Sequence, residues 1–325
     1  MQFKSLVQQL PQFSELLQEK QNNKLTHAYM FVSADELLLK EFSRIFAALV
    51  MCDDKNAPCF ECVHCKKVDL SSHPDVTVLP SSEKVLVEDV EKLIDESVLV
   101  PMESTHKVYI FDKFSTANMQ SQNKLLKTLE TPPNNVYIIL NVTNETNILP
   151  TIASRCKKIR LSSLSQQTLT QAVEPICKDS EKAKTIGFIS EGSLTRAVNF
   201  ADNENFMQNY NLVCEVISNL KNSSTVLPLS AKLNERKSYF LEILEIFESL
   251  FRDLLMIRLD RENLVTNKNI LNMLTKLAPE YSGDAIDLII KKLYLIKQEL
   301  NFNVNPTTLI DNLLLYILEV KHLCK

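Results

Sequence analysis

The sequence predicts an α/β unit on a parallel sheet, followed by an all-α region. Two observations carry this. Short apolar runs of strand length alternate with segments of helical spacing over the first 160 residues, a pattern that implies parallel pairing through helical crossovers. After Arg160 the strand signals end, and only helical periodicity continues to residue 325. A third observation is local: four of the eight cysteines fall between residues 52 and 65, interrupting the α/β pattern.

The elements follow in order. An amphipathic helix opens the chain up to about Glu19, and Leu25–Val32 reads as a buried strand. A long helical pattern covers Glu36–Met51. Beyond the cysteines, Asp75–Leu79 alternates like a strand, and Val87–Leu99 has helical spacing with acids near its start, where the helix dipole favours them. His106–Asp112 is a buried strand ending in an acid, Met119–Leu129 a helix, and Val136–Leu140 another buried strand. Ser165 and Pro306 stand at helix starts; Phe240–Ile257 and Ala285–Leu300 carry apolar residues every three to four positions, and Asn222–Thr225 reads as an exposed loop.

Composition narrows the function classes. The formal net charge of -4 argues against a whole-molecule field that binds nucleic acid. No apolar stretch approaches the roughly 18 residues that a membrane span needs, and the opening residues lack a signal-peptide core, so a cytoplasmic protein is expected. The three glycines are Gly187, Gly192 and Gly283, which excludes a glycine-rich phosphate loop from the first 186 residues.

Cys52, Cys59, Cys62 and Cys65 are spaced C-x6-C-x2-C-x2-C, so four thiolates can close around one ion. Zinc is the natural occupant. A full sulfur shell leaves no open coordination position, which makes the site structural rather than hydrolytic. His64 is a less favoured substitute ligand.

This knob follows a helix that ends at Cys52, and there the chain resembles the clamp-loader branch of the AAA+ proteins, in which a cysteine-ligated zinc module is inserted after the helix behind the phosphate-binding loop. Thr26–Phe31 matches the family's opening strand. Gln122–Pro133, QNKLLKTLETPP, resembles its N-A-L-L-K-x-L-E-E-P-P segment, with Lys124 in place of the alanine and Thr131 in place of the second glutamate. Leu149–Cys156, LPTIASRC, resembles the L-P-T-I-x-S-R-C segment. The match extends over about residues 20–204.

The departures are as informative. Where ATP-binding members carry G-x-x-G-x-G-K-[ST], this chain reads Ser33-Ala34-Asp35-Glu36-Leu37-Leu38-Leu39-Lys40. Glu36 and Leu38 stand in for glycines, Leu39 for the lysine and Lys40 for the hydroxyl. Asp112 keeps the first acid of the would-be catalytic pair and is expected to accept hydrogen bonds at the strand end, but Lys113 replaces the second acid. Thr143 and Asn144 occupy the family's sensor position, and Arg196 stands one place beyond the nucleotide-contacting arginine, where it reads as a surface helix residue.

What the resemblance implies is a delta-prime-like member of the bacterial DNA polymerase III clamp loader. It would have no ATP of its own and no catalysis on its own, as one subunit of a DNA polymerase holoenzyme. Arg155 would be an arginine finger, reaching in trans into a neighbour's ATP site. The implied partners are the gamma/tau and delta subunits and, through the complex, the sliding clamp and primed DNA. The implied domains are 1–161, α/β with the zinc insertion at 52–65; 162–204, a helical lid; and 205–325, a helical collar. Lys157, Lys158 and Arg160 read as a solvated basic face rather than a DNA track. Two other readings stay open: an active ATPase of the gamma/tau kind, and a zinc-containing nucleic-acid-binding module.

Overall fold

The computed structural model describes residues 2–80, 82–300 and 304–323. Cys324 lies outside them. The chain divides into two compact units: residues 1–164 with 193–195, and residues 165–192 with 196–325.

The first unit holds a five-stranded parallel sheet in the order β2-β3-β4-β1-β5, with β1 at Ala28–Val32, β2 at Val76–Leu79, β3 at Lys107–Phe111, β4 at Val136–Val142 and β5 at Lys157–Arg160. Every pairing is parallel, and Ala28 lies opposite Ile138. The three central strands are the long apolar runs of the sequence, as expected where both faces are covered. The helices of this unit are α1 (Lys4–Gln8), α2 (Pro11–Gln21), α3 (Glu36–Met51), α4 (Val63–Asp69), α5 (Val87–Ser97), α6 (Met119–Glu130) and α7 (Pro150–Ala153). This is a parallel α/β sheet with helices on its faces, the architecture expected of the first part of the sequence.

On one face of the sheet Tyr29 and Phe31 meet Phe42 and Phe46 of α3 edge to face, with Phe31 and Phe42 ring centroids 4.8 Å apart. On the other, Met30, Phe111, Ile138 and Leu140 pack with Leu125 and Leu129 of α6. The leucine stripe of the Gln122–Pro133 segment is therefore core.

The second unit is helical throughout its described residues: α8 (Gln166–Cys177), α9 (Ser180–Ile189), α10 (Leu194–Asp202), α11 (Phe206–Asn219), α12 (Ser223–Asn234), α13 (Phe240–Arg258), α14 (Leu271–Leu277), α15 (Gly283–Leu300) and α16 (Pro306–Leu323). Residues 222–224 are exposed and Thr225 is half-buried, yet the segment opens a helix rather than forming a loop. Asn and Ser serve both purposes; here Thr225 Oγ1 accepts from the N–H groups of Lys221 and Asn222 at 3.3 and 3.4 Å, satisfying donors at the helix start. A polar network fills the middle of this unit. The Asp253 carboxylate is fully buried and accepts from the backbone and side chains of Thr266 and Asn267. Among the described residues no helix is long and apolar enough to cross a membrane.

Candidate functional site

Three places in the first unit hold the residues singled out by the sequence, apart from Arg196.

The first is the cysteine knob. Cys52 is the C-cap of α3 and Cys62 the N-cap of α4, so two helix ends deliver two of the sulfurs. All four sulfurs lie within 4.8 Å of one another. Cys52 Sγ is 3.6 Å from Cys59 Sγ and 3.9 Å from Cys62 Sγ; tetrahedral sulfurs at zinc's bond length would stand about 3.8 Å apart. The donor set and its spacing thus fit a zinc ion. Phe60 takes φ 57°, a conformation rare outside glycine, in the turn that brings Cys62 N–H to Cys59 Sγ at 3.3 Å, and the cap of α4 brings Cys65 N–H to Cys62 Sγ at 3.4 Å. The N–H groups of Glu61 and Cys62 bring the Cys59 thiol down to about 7, whereas burial pushes Cys52 and Cys65 up. Lys20 of α2 donates to the carbonyls of Leu49, Val50 and Cys52, tying off the end of α3 where the knob begins. His64 turns away from the sulfurs to His73, with Nδ1 and Nε2 2.9 Å apart.

Behind the knob, Asp75 organises the loop before β3. Its carboxylate accepts from the N–H groups of Met102, Glu103 and Ser104 at 2.6, 2.8 and 2.9 Å. Burial raises its pKa, but these three donors outweigh burial and hold it below the usual carboxylate range.

The second place is the start of α3, where the phosphate loop of an ATP-binding member would lie. Leu38 and Leu39 point into the core, and Glu36 and Lys40 into solvent. Asp35, which the sequence did not single out beyond its place in the segment, occupies the helix end. Its buried carboxylate accepts from Leu38 N–H at 2.9 Å, Ser193 Oγ at 2.9 Å, Thr195 N–H at 3.2 Å and Thr195 Oγ1 at 2.7 Å. Leu37 N–H donates to Thr195 Oγ1 at 3.1 Å. The N-terminal end of α3, whose donors and dipole suit an anion, is thus engaged within the chain, Leu38 N–H by the Asp35 carboxylate and Leu37 N–H by Thr195 Oγ1.

The other equivalents of a nucleotide site are engaged elsewhere. Asp112 accepts from Asn141 Nδ2 at 3.1 Å, as expected, and burial pushes its pKa up. Thr143 and Asn144 donate backbone N–H groups to Ser115 Oγ at 2.8 and 3.2 Å. Arg196, in the second unit, is not a free surface residue: its guanidinium lies 3.0 Å from Glu191 and 3.9 Å from Glu245, and over the Phe200 ring.

The third place holds Arg155, in the turn between α7 and β5. Its Nη2 lies 2.6 Å from Glu130 Oε1, and its Nη1 donates to the Thr151 carbonyl at 2.8 Å. The two motif segments are joined by Gln122, which is buried and satisfied at both ends: Nε2 donates to the carbonyls of Ala117 and Asn147, and Oε1 accepts from Leu149 N–H at 2.8 Å. Lys157 pairs with Glu15 and Glu19, and Lys158 and Arg160 share Glu145, so the basic run is neutralised within the unit.

Comparison with known proteins gives two family matches. The model described as DNA polymerase III, delta subunit, matches residues 8–165, and that described as DNA polymerase III, delta subunit, C terminal, matches residues 204–319. Among curated relatives, the DNA polymerase III subunit gamma of Buchnera aphidicola subsp. Schizaphis graminum is 27% identical over 217 residues, covering 64% of this chain and 58% of that one. The DNA polymerase III subunit tau of Bacillus subtilis is 31% identical over 181 residues, 55% of this chain and 31% of that one. The chain therefore spans less than two thirds of these relatives' length. Among solved structures, a DNA polymerase III gamma subunit-related protein from Thermotoga maritima aligns at a TM-score of 0.49 and 17% identity, over 94% of this chain and 100% of that one.

Proposed function

The chain belongs to the clamp-loader subunit family of DNA polymerase III, and from that premise we propose that it is a delta-prime-like subunit: one that neither binds nor hydrolyses ATP but donates Arg155 to a neighbour's ATP site. The observation that carries the reading is the carboxylate of Asp35 at the start of α3. An anion already bonded to the helix end repels a phosphate, and there is no glycine to bring the backbone close and no lysine at Leu39 to neutralise the charge. Lys113 in place of a second acid leaves nothing to orient an attacking water.

Arg155 needs no nucleotide on its own chain. A guanidinium can stabilise charge on a transferring γ-phosphoryl group from a neighbouring subunit. The partners are then gamma/tau and delta subunits, with the sliding clamp and primed DNA reached through the complex in the cytoplasm. The finer division into an α/β domain to 161, a lid to 204 and a collar beyond is part of the same proposal. Zinc at Cys52, Cys59, Cys62 and Cys65 would give the knob a rigid frame without chemistry of its own, since four sulfurs complete its shell.

Two measurements test the reading. Purified chain is expected to bind no magnesium-ATP in calorimetry and to carry about one zinc, the stoichiometry that four thiolates predict; clear ATP binding would make it an active ATPase instead. In the reconstituted clamp loader, Arg155→Ala is expected to leave assembly intact and lower clamp-dependent ATPase by about 10³-fold or more at the affected site. Unchanged turnover would sink the finger assignment.

A further inference from the structure

We infer that Glu130 is the resting counter-ion of Arg155, a positioning residue that holds the guanidinium until a neighbour's phosphate takes its place. The inference rests on the finger reading of Arg155 and deepens it.

Glu130 is the last residue of α6, and Arg155 stands 25 positions further on, in the turn before β5. Their side chains meet at 2.6 Å, while the second terminal nitrogen of Arg155 donates to the Thr151 carbonyl. Two contacts from different elements fix both the position and the direction of the guanidinium. The carboxylate sits at a C-terminal helix end, which the helix dipole disfavours for an anion. Helix stability alone therefore gives no reason for an acid there; a cation across the gap does.

The pair is also weak enough to release. Arg155 is 34% and Glu130 50% exposed, so water and salt screen their attraction, and pairs of this kind hold only weakly. A triphosphate with magnesium offers more charge and several acceptor oxygens, so exchange from Glu130 to phosphate runs downhill once a neighbour presents it. Glu130 then acts on the ATPase only through Arg155. It competes with the phosphate, shortening the time that the finger spends engaged.

The experiment is a double-mutant cycle in the complete reconstituted complex, reading the ATP dependence of clamp-dependent hydrolysis. Glu130→Gln keeps the shape and removes the charge. Its expected effect is a rise in kcat/KM of about twofold to fivefold, the range that an exposed ion pair can supply, fading as salt is raised. Glu130→Asp, still charged, is expected to lie nearer the parent. In an Arg155→Ala background Glu130→Gln is expected to change nothing.

The outcomes separate the two ideas. Turnover that survives Arg155→Ala overturns the finger reading itself. Loss with Arg155→Ala but no gain with Glu130→Gln overturns the counter-ion role and leaves the finger standing. A Glu130→Gln effect that persists without Arg155 also overturns it, because Glu130 would then act by another route. Folding of each variant is checked by thermal melting, and an uncharged residue at the end of α6 is expected to leave the melt unchanged or slightly raised.

Discussion

Asp75 shows how much one side chain can settle. It sits just before an edge strand, reads from sequence as part of an alternating pattern, and in the fold gathers three consecutive N–H groups of a loop 27 to 29 residues away. Its pKa is depressed, so the sign of its contribution follows: ionised Asp75 stabilises the fold above the unfolded carboxylate value of about 3.9, and that stability is lost as pH falls through the lower, folded value. Asp75→Asn is expected to cost roughly 1–3 kcal/mol at neutral pH, measured by urea denaturation. The gap to the parent should close in acid. A gap that stays constant down to pH 3 would refute the charge argument.

Among elements, the two helical glycines make opposite demands. Gly187 lies inside α9 against α8, where an added Cβ would come 2.1 Å from Thr170 Oγ1 and 3.1 Å from the Gln166 carbonyl. Gly283, at the start of α15, would meet nothing within 4 Å. Gly187→Ala is expected to lose about 1–3 kcal/mol through overpacking and Gly283→Ala to gain about 0.4–1 kcal/mol by restricting the unfolded chain. Thermal melts of the two variants should move in opposite directions; equal shifts would contradict the packing account.

Elements also show what a sequence can and cannot display. The central strands were legible because burial on both faces makes them continuous apolar runs. The edge strand at Lys157–Arg160 buries only Ile159 and announces itself faintly. The clustering of the four sulfurs was legible because the cysteines sit within 14 residues, and the two motif segments because each is contiguous. The helix α4 was hidden by the cysteines that begin it. The bonds of Asp35 to Ser193 and Thr195 cross about 158 positions, and the bonds of Gln122 to the segment before α7 cross about 25; no local pattern records a partner that far away.

At the scale of the whole molecule, a chain whose helix end carries its own anion should be indifferent to nucleotide. A ligand held at 100 times its Kd would add about 2.7 kcal/mol to stability. Magnesium-ATP at millimolar concentration is therefore expected to leave the melting temperature of the isolated chain unmoved, and an upward shift of several degrees, measured by scanning fluorimetry, would reverse the reading of α3. The measurement is global, yet it reports on one carboxylate.

The basic run at the sheet edge has a consequence of another kind. Lys157, Lys158 and Arg160 already face Glu15, Glu19 and Glu145. Association with a polyanion draws its drive from mobile ions set free when cations meet phosphates. Here the counter-ions are covalently attached and cannot leave, so a nucleic acid arriving at β5 would displace carboxylates that stay beside it, with little entropy released and new repulsion introduced.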